Sequence, residues 1–119
     1  MVDKEGIENV LKTLAKMGAR GAIVLDKDGT HITSDLPGDI NQNTFSIMCA
    51  TVMGAAKTAN SELDRKPLRK VSIDSQDRRI IMMNAGRKLV LSVIVSSSVN
   101  MERAEEGISQ AAEKIGEMV

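Results

Sequence analysis

Aromatic side chains are all but absent from this chain: Phe45 stands alone among 119 residues, with no Trp and no Tyr. Nucleic-acid bases therefore have nothing to stack on, and any interior must be built from Ile, Leu, Val, Met and Ala. Histidine and cysteine are equally scarce. His31 and Cys49 are single copies, so a histidine-based metal site or a Ser-His-Asp relay lacks its companions, and no internal disulfide can form. A lone thiol fits a reducing compartment, which points to the cytoplasm. No apolar run approaches the length of a membrane span. Lys4, Lys12 and Lys16 interrupt the N-terminal segment, so neither membrane insertion nor a signal peptide is expected. A Gly-rich phosphate cradle is missing too, which argues against nucleotide binding by the chain alone.

What is present suits one domain over residues 1–119, with 42% apolar residues for a modest core. Eight Met residues make that core adaptable. Net charge is zero but unevenly spread. Arg65, Lys66, Arg69, Lys70, Arg78, Arg79, Arg87 and Lys88 make up half of the 16 basic residues, with only Asp74 and Asp77 opposing them in that span. The end of the chain is acidic through Glu102, Glu105, Glu106, Glu113 and Glu117. The basic strip reads as solvated strand faces and a charge-protected sheet edge, and no nucleic-acid partner is expected.

Ile7, Val10, Leu11, Leu14 and Met17 recur at helical spacing between charged residues, predicting an amphipathic helix over residues 3–17 with Asp3 as N-cap and Gly18 as terminator. Residues 20–34 then read as strand, turn and strand. Ile23, Val24 and Leu25 suit a pleated sheet, and Asp26-Lys27-Asp28-Gly29 supplies turn chemistry with a positive φ expected at Gly29. Leu36-Pro37-Gly38-Asp39 breaks regular structure, and Asn41 or Asn43 caps a second helix over about residues 43–60.

That helix carries two stripes. Phe45, Met48, Cys49, Val52, Ala56 and Ala59 are expected to face a sheet, while Ile47, Ala50, Thr51, Gly54 and Thr58 lie opposite, small or apolar, with Lys57 at their margin. A helix without a polar side is normally buried on two sides, and small residues let another backbone approach. A second subunit is the expected cover.

Residues 67–95 read as three strands. Val71 and Ile73 alternate with polar residues, as in an edge strand; Ile80 to Met83 and Leu89 to Val95 carry apolar groups toward both faces. Asp74-Ser75-Gln76-Asp77 and Asn84-Ala85-Gly86-Arg87 are the predicted turns. A last helix spans about residues 100–117, capped by Asn100 or Ser98. Alternation on both sides calls for a central sheet covered by helices on each face.

No reactive cluster accompanies this frame. Cys49 sits in an apolar stripe where burial makes it inert, and His31 reads as an ordinary polar strand residue. Asp26-Lys27-Asp28-Gly29 resembles the start of a calcium loop, yet Pro37 occupies the position where that loop needs a bidentate Glu. Ser96-Ser97-Ser98 reads as capping. No enzyme activity, cofactor or metal is expected.

Gly21 to Asp26, the Asp28-Gly29 turn with Ile32 following, the apolar helix from Phe45 to Ala59, and the strand pair from Arg79 to Val95 with its Gly86 turn together resemble a Roadblock domain. That family includes Roadblock-type dynein light chains, bacterial cell-polarity regulators and scaffolds for Ras-like GTPases. The resemblance implies an α/β three-layer sandwich of profilin-like form: a five-stranded antiparallel sheet with one helix on one face and two on the other. It also implies dimerisation through the middle helix and third strand, and a platform for small GTPases. The corresponding positions are Ile47, Ala50, Thr51, Gly54 and Thr58 on the helix and Val71, Ser72 and Ile73 on the strand. The function expected is a non-catalytic homodimeric scaffold or regulator of a small Ras-like GTPase. The alternative is a small-molecule-sensing PAS or profilin-like module with its ligand between sheet and helix.

Overall fold

A computed structural model describes residues 2–63 and 66–119. Within them the chain runs α1 (Lys4–Lys16), β1 (Gly21–Asp26), β2 (His31–Asp35), α2 (Gln42–Leu63), β3 (Val71–Asp74), β4 (Arg78–Ala85), β5 (Leu89–Ser96) and α3 (Met101–Gly116). This is the order read from the sequence. The start signals act locally. Asp3 Oδ1 accepts from Gly6 N–H at 3.0 Å, Asn41 Oδ1 from Thr44 N–H at 2.9 Å and Asn100 Oδ1 from Arg103 N–H at 3.1 Å, each satisfying an orphan donor of a first helical turn. Of the alternatives left open, Asn41 and Asn100 are therefore the caps.

The turn after β1 is built by Asp26, whose Oδ1 accepts from the N–H groups of both Asp28 and Thr30 at 2.9 Å. Gly29 follows at φ +92°, the left-handed conformation expected there. The register slips between Val24, opposite Thr33, and Leu25, opposite His31. This bulge sharpens the local twist. At the other hairpin the predicted turn begins too early: Asn84 and Ala85 belong to β4, paired with Val90 and Leu89. Gly86, at φ +73°, starts the turn itself.

The five strands form one antiparallel sheet in the order β2-β1-β5-β4-β3. Since β2 and β3 are opposite edges, α2 must carry the chain across an entire face. Four inter-strand spacings amount to about 19 Å, and a 22-residue helix reaches about 33 Å. Its length is thus dictated by topology.

Alternation along the strands divides the apolar residues between two layers. Ala22, Val24, Ile81, Met83, Leu91 and Val93 meet Ile7, Leu11 and Leu14 of α1 and Ile108, Ala112 and Ile115 of α3. Ile23, Leu25, Met82 and Val90 meet Cys49 and Met53 of α2. One helix on one face and two on the other is the three-layer α/β arrangement expected.

Gly86 and Gly116 join the outer layer to the sheet at very short range. A Cβ on Gly116 would lie 2.8 Å from the Gly86 nitrogen and 3.0 Å from its Cα. Backbone cannot yield as a flexible side chain can, so Gly116→Ala is expected to lower stability by about 1–3 kcal/mol. Gly38→Ala, where a Cβ meets nothing within 4 Å, is expected to change stability by less than about 0.5 kcal/mol. Urea unfolding of the two variants checks the contrast.

Candidate functional site

The surface that stands out is the outward side of α2, and its position follows from one tertiary contact. Ser46 is fully buried, and its hydroxyl donates to the Gly29 carbonyl at 2.7 Å. The turn presses so closely on α2 that a Cβ on Gly29 would lie 3.2 Å from Ile47 Cα. That contact sets the rotation of the helix. Ser46, Cys49 and Met53 face the sheet, with Phe45, Ala50 and Val52 half-buried beside them.

The predicted sheet-facing stripe therefore requires correction. Met48 is 51% exposed, as is Ile47, and Ala59 is exposed as well. Ala50 moves the other way and packs against the α2-side core. Ile47, Thr51, Gly54 and Thr58 lie outward as expected. Met48, Ala55 and Ala59 join them there. The signal for this rotation was Ser46: a polar residue in phase with Cys49 and Met53 marks a buried partner, which hydropathy alone ranks as solvent-facing.

The outward face is more apolar than its composition suggests. Thr51 Oγ1 donates to the Ile47 carbonyl at 2.9 Å and Thr58 Oγ1 to the Gly54 carbonyl at 3.1 Å, so both hydroxyls are satisfied within the helix. No exposed residue of α2 from Thr44 to Ala59 is charged. Gly54 has nothing within 4 Å of a virtual Cβ, so no packing within this chain requires a glycine there. A mid-helix Gly costs about 1 kcal/mol relative to Ala.

Beside this face lies a sheet shelf that α2 does not cover. The α2 backbone lies nearest β1 and β2 and its side chains reach Met82 of β4 and Val90 of β5, while toward the β3 edge Val71 and Ile80 are only half-buried and Ile73 is 39% exposed. Val71 lies opposite Met82 and Ile73 opposite Ile80, which places both on the α2 side. Ser72 and Asp74 alternate to the α3 side, where Ser72 Oγ donates to Asp74 Oδ1 at 2.9 Å and the Lys70 ammonium pairs with Glu105.

The free edge of β3 also has a definite polarity. Ser75 N–H donates to the Arg78 carbonyl at 2.9 Å; alternation in an antiparallel ladder then turns the N–H and C=O groups of Val71 and Ile73 toward β4 and those of Ser72 and Asp74 outward. Val71, Ser72 and Ile73 thus combine an apolar side on the α2 layer with an unpaired backbone edge.

The basic strip is divided. Arg78 and Arg87 flank the two ends of the eight-residue β4, about 25 Å apart along an extended strand. Arg79 pairs with Asp74 at 3.6 Å and Arg78 with Asp77 at 3.6 Å. Arg65 lies outside the described residues. His31 Nε2 hydrogen-bonds Ser34 Oγ at 3.0 Å, whose hydroxyl donates to Gln42 Oε1 at 2.9 Å. Among the described residues no cluster of His, Cys, Asp or Glu could hold a metal ion, and no helix is long and apolar enough to cross a membrane.

The strand order, the single helix spanning one face and the uncovered β3 edge define an α/β domain of the Roadblock and profilin-like class. The chain belongs to the Roadblock/LC7 domain family, whose model matches residues 6–95. An uncharacterized protein of Methanocaldococcus jannaschii is 31% identical over 113 residues, which is 94% of this chain and 95% of that protein. MglB of Myxococcus xanthus has the same fold with a TM-score of 0.90 at 18% identity, covering 97% of this chain and 88% of its own. A structure described as MglB with tetrameric arrangement superposes with a TM-score of 0.89 at 16% identity, covering 97% of this chain and 88% of its own.

Cys49 gives a direct check on the inward face of α2. Burial pushes its thiol above the ordinary range, partly offset by the hydrogen bond from Sγ to Ser92 Oγ at 3.5 Å. The native protein is therefore expected to react with a disulfide reagent far more slowly than the urea-unfolded chain. Because the raised value favours the neutral thiol in the fold, this group's stabilisation is complete below the unfolded-chain pKa and declines as pH rises through the window above it.

Proposed function

We propose that this chain is a non-catalytic homodimeric scaffold that binds a small Ras-like GTPase and influences its nucleotide cycle or location. The observation that carries the dimer is the uncharged outward face of α2 together with the open edge of β3. The GTPase rests on family membership. The MglB structure in a tetrameric arrangement supports self-association in this fold.

Magnitudes decide which parts of the interface matter. Burying the remaining exposed part of Ile47, Met48 and Ile73 yields about 1 kcal/mol each, or about 6 kcal/mol for a symmetric pair. Association itself costs about 4–15 kcal/mol. Apolar contact alone covers only the low end of that range, so the reading has β3 pair with its counterpart, each ladder bond adding about 0.5–1.5 kcal/mol. A two-fold axis at Ser72 matches the outward backbone groups of Ser72 and Asp74, and sets Asp74 across from the partner's Lys70. Opposite charges then face each other. The joined sheets bring two α2 helices side by side, and Gly54 and Thr58 permit close approach.

The competing reading, a sensor with its ligand between sheet and helix, has less support on the α2 side, where Cys49, Met53, Met82 and Val90 pack together; the space it would need lies on the other face, in a cleft of about 600 Å³ lined by Met17, Val93, Val95, Val99 and Arg103.

Light scattering at micromolar concentration is expected to give twice the chain mass, and Ile47→Arg or Gly54→Arg to give monomer, since an unpaired charge buried in the interface costs several kcal/mol. Gly54→Ala separates helix from interface: it is expected to stabilise the isolated fold by about 0.5–1 kcal/mol while weakening the dimer. Ser72→Cys is expected to cross-link two chains on oxidation, because a residue facing its own copy across an antiparallel pair meets disulfide geometry. A wild-type monomer at all these concentrations overturns the reading.

The GTPase is tested separately. Calorimetry is expected to show no binding of GTP or ATP by the protein alone, and immobilised dimer to retain a small GTPase from the same cells in one nucleotide state. Gly54→Arg should abolish dimer and capture together. Stoichiometric GTP binding by the chain, or capture of no GTPase in either nucleotide state, overturns this half.

A further inference from the structure

A second, polar feature lies at the other end of α2 from its contact with Gly29. A cleft of about 240 Å³ is lined by Lys57, Asn60 and Ser61 of α2, by residues 66–68, and by Asn84 of β4. Topology assembles this corner. Leu89 pairs with both Asp26 and Ala85, so the β1–β2 turn and the β4–β5 turn meet at one end of the sheet. Asn84, opposite Val90, is on the α2 side there. Asn60 Nδ2 donates to the Lys66 carbonyl at 2.8 Å, tying the segment before β3 to the helix.

Two features of the corner call for a ligand. Asn84 Oδ1 is buried with no hydrogen-bond partner, the one such side-chain atom among the described residues. An acceptor in that state carries a desolvation cost that a donor would remove. The second feature is charge. Burial, and then the nearby Lys27 of the β1–β2 turn, hold Lys57 below the ordinary lysine range. The ion pairs among the described residues join Lys70 to Glu105, Arg78 to Asp77 and Arg79 to Asp74, so neither Lys27 nor Lys57 has a carboxylate partner there. No acidic described residue lines the cleft. The Lys57 ammonium in one cleft with an unpaired buried acceptor suits a molecule with an anionic group at one end and a hydroxyl at the other.

We infer that this cleft binds a small polyol phosphate, its phosphate on the Lys57 ammonium and a hydroxyl of its carbon chain donating to Asn84 Oδ1. Phosphate supplies charged acceptors for the Lys57 ammonium. The hydroxyl fills the valence that sulfate or a simple alkyl phosphate leaves open. Such a ligand would brace α2, the segment before β3 and β4 against one another, and the inference is independent of the dimer reading because neither Lys57 nor Asn84 is among the exposed residues of α2's outward face.

Glycerol 3-phosphate, titrated into the isotope-labelled protein, is the direct probe. The Asn84 side-chain amide and the backbone amides of Asn60 and Ser61 are expected to shift saturably. Lys57→Met, at a half-buried position compatible with the fold, is expected to weaken binding by about tenfold, the loss of a charge-assisted contact. Propyl phosphate, which has no hydroxyl, is expected to bind about fivefold more weakly because Asn84 Oδ1 stays unpaired; equal affinity overturns the role of Asn84. Vesicles of phosphatidylglycerol, compared with phosphatidylcholine, present the same chemistry as a lipid headgroup. Recruitment that is lost in Lys57→Met while the soluble probe leaves the amides in place identifies the lipid as the source. No response to either form, or binding that survives Lys57→Met, overturns the inference.

Discussion

The contact between the β1–β2 turn and the first turns of α2 governs much of what this molecule exposes. Asp26 folds the turn with two backbone bonds, Gly29 accepts a left-handed conformation, and its carbonyl receives the Ser46 hydroxyl. Removing either partner would leave a buried polar group unsatisfied, a cost of about 1–3 kcal/mol. Rotating α2 by one residue would break that bond and turn Met48 inward in place of Cys49. The hydrogen bond therefore selects which residues of a nearly all-apolar helix face the core, and by the same step which face solvent. Hydrophobicity has little power to make that choice, because Met48 and Ile47 would each gain from burial as much as Met53 does.

Asymmetry between the two sheet faces follows from connectivity. The α1 and α3 side is closed by two helices that share a core with four strands. The α2 side has one helix, which must span from one edge to the other, with its backbone nearest β1 and β2 and its buried side chains on Met82 and Val90. Ile73, Val71 and Ile80 are consequently left under a single incomplete cover. Since β3 has four residues and three of them are exposed, it gains little stability from its own face and depends on β4 for its backbone partners. A short edge whose polar side carries Lys70 and Asp74 is protected against indiscriminate strand addition, yet it remains able to pair in a register that brings these charges together.

Much of this was legible in the residues, and the failures share a cause. Helix caps, the positive φ at Gly29 and the two-sided strands β4 and β5 depend on short-range chemistry and period, both visible in a window of the chain. The rotation of α2 was misread because a buried Ser is acceptable only with a partner, and Gly29 lies 17 residues away in sequence. Asn84 and Ala85 were read as a turn because Asn-Ala-Gly has turn chemistry, but pairing with β5 extends the strand through them. The basic strip is contiguous in sequence and not in space, since β4 holds Arg78 and Arg79 at one end and Arg87 and Lys88 follow the other. Of the residues expected at the interface, Ala50 is the one that tertiary packing turned inward; β3 stands where the edge pattern put it.

Gly54 links these levels. Nothing inside the chain touches it, and an exposed mid-helix glycine weakens a helix that already buries only Ser46, Cys49 and Met53. Thr51 and Thr58, on the same side, turn their hydroxyls back to the helix carbonyls, an arrangement that itself slightly weakens or bends a helix. A stripe of residues that lower the helix's own stability makes physical sense where close backbone approach matters more than helix propensity. The half-exposed Ile47, Met48 and Ile73 fit the same account, because each keeps apolar area that this chain does not cover, and Ile73 lies on an edge that only another strand can complete. The local costs on α2 and the open valence on β3 thus call for a covering element of the same kind, and the proposed second copy of this surface would supply both.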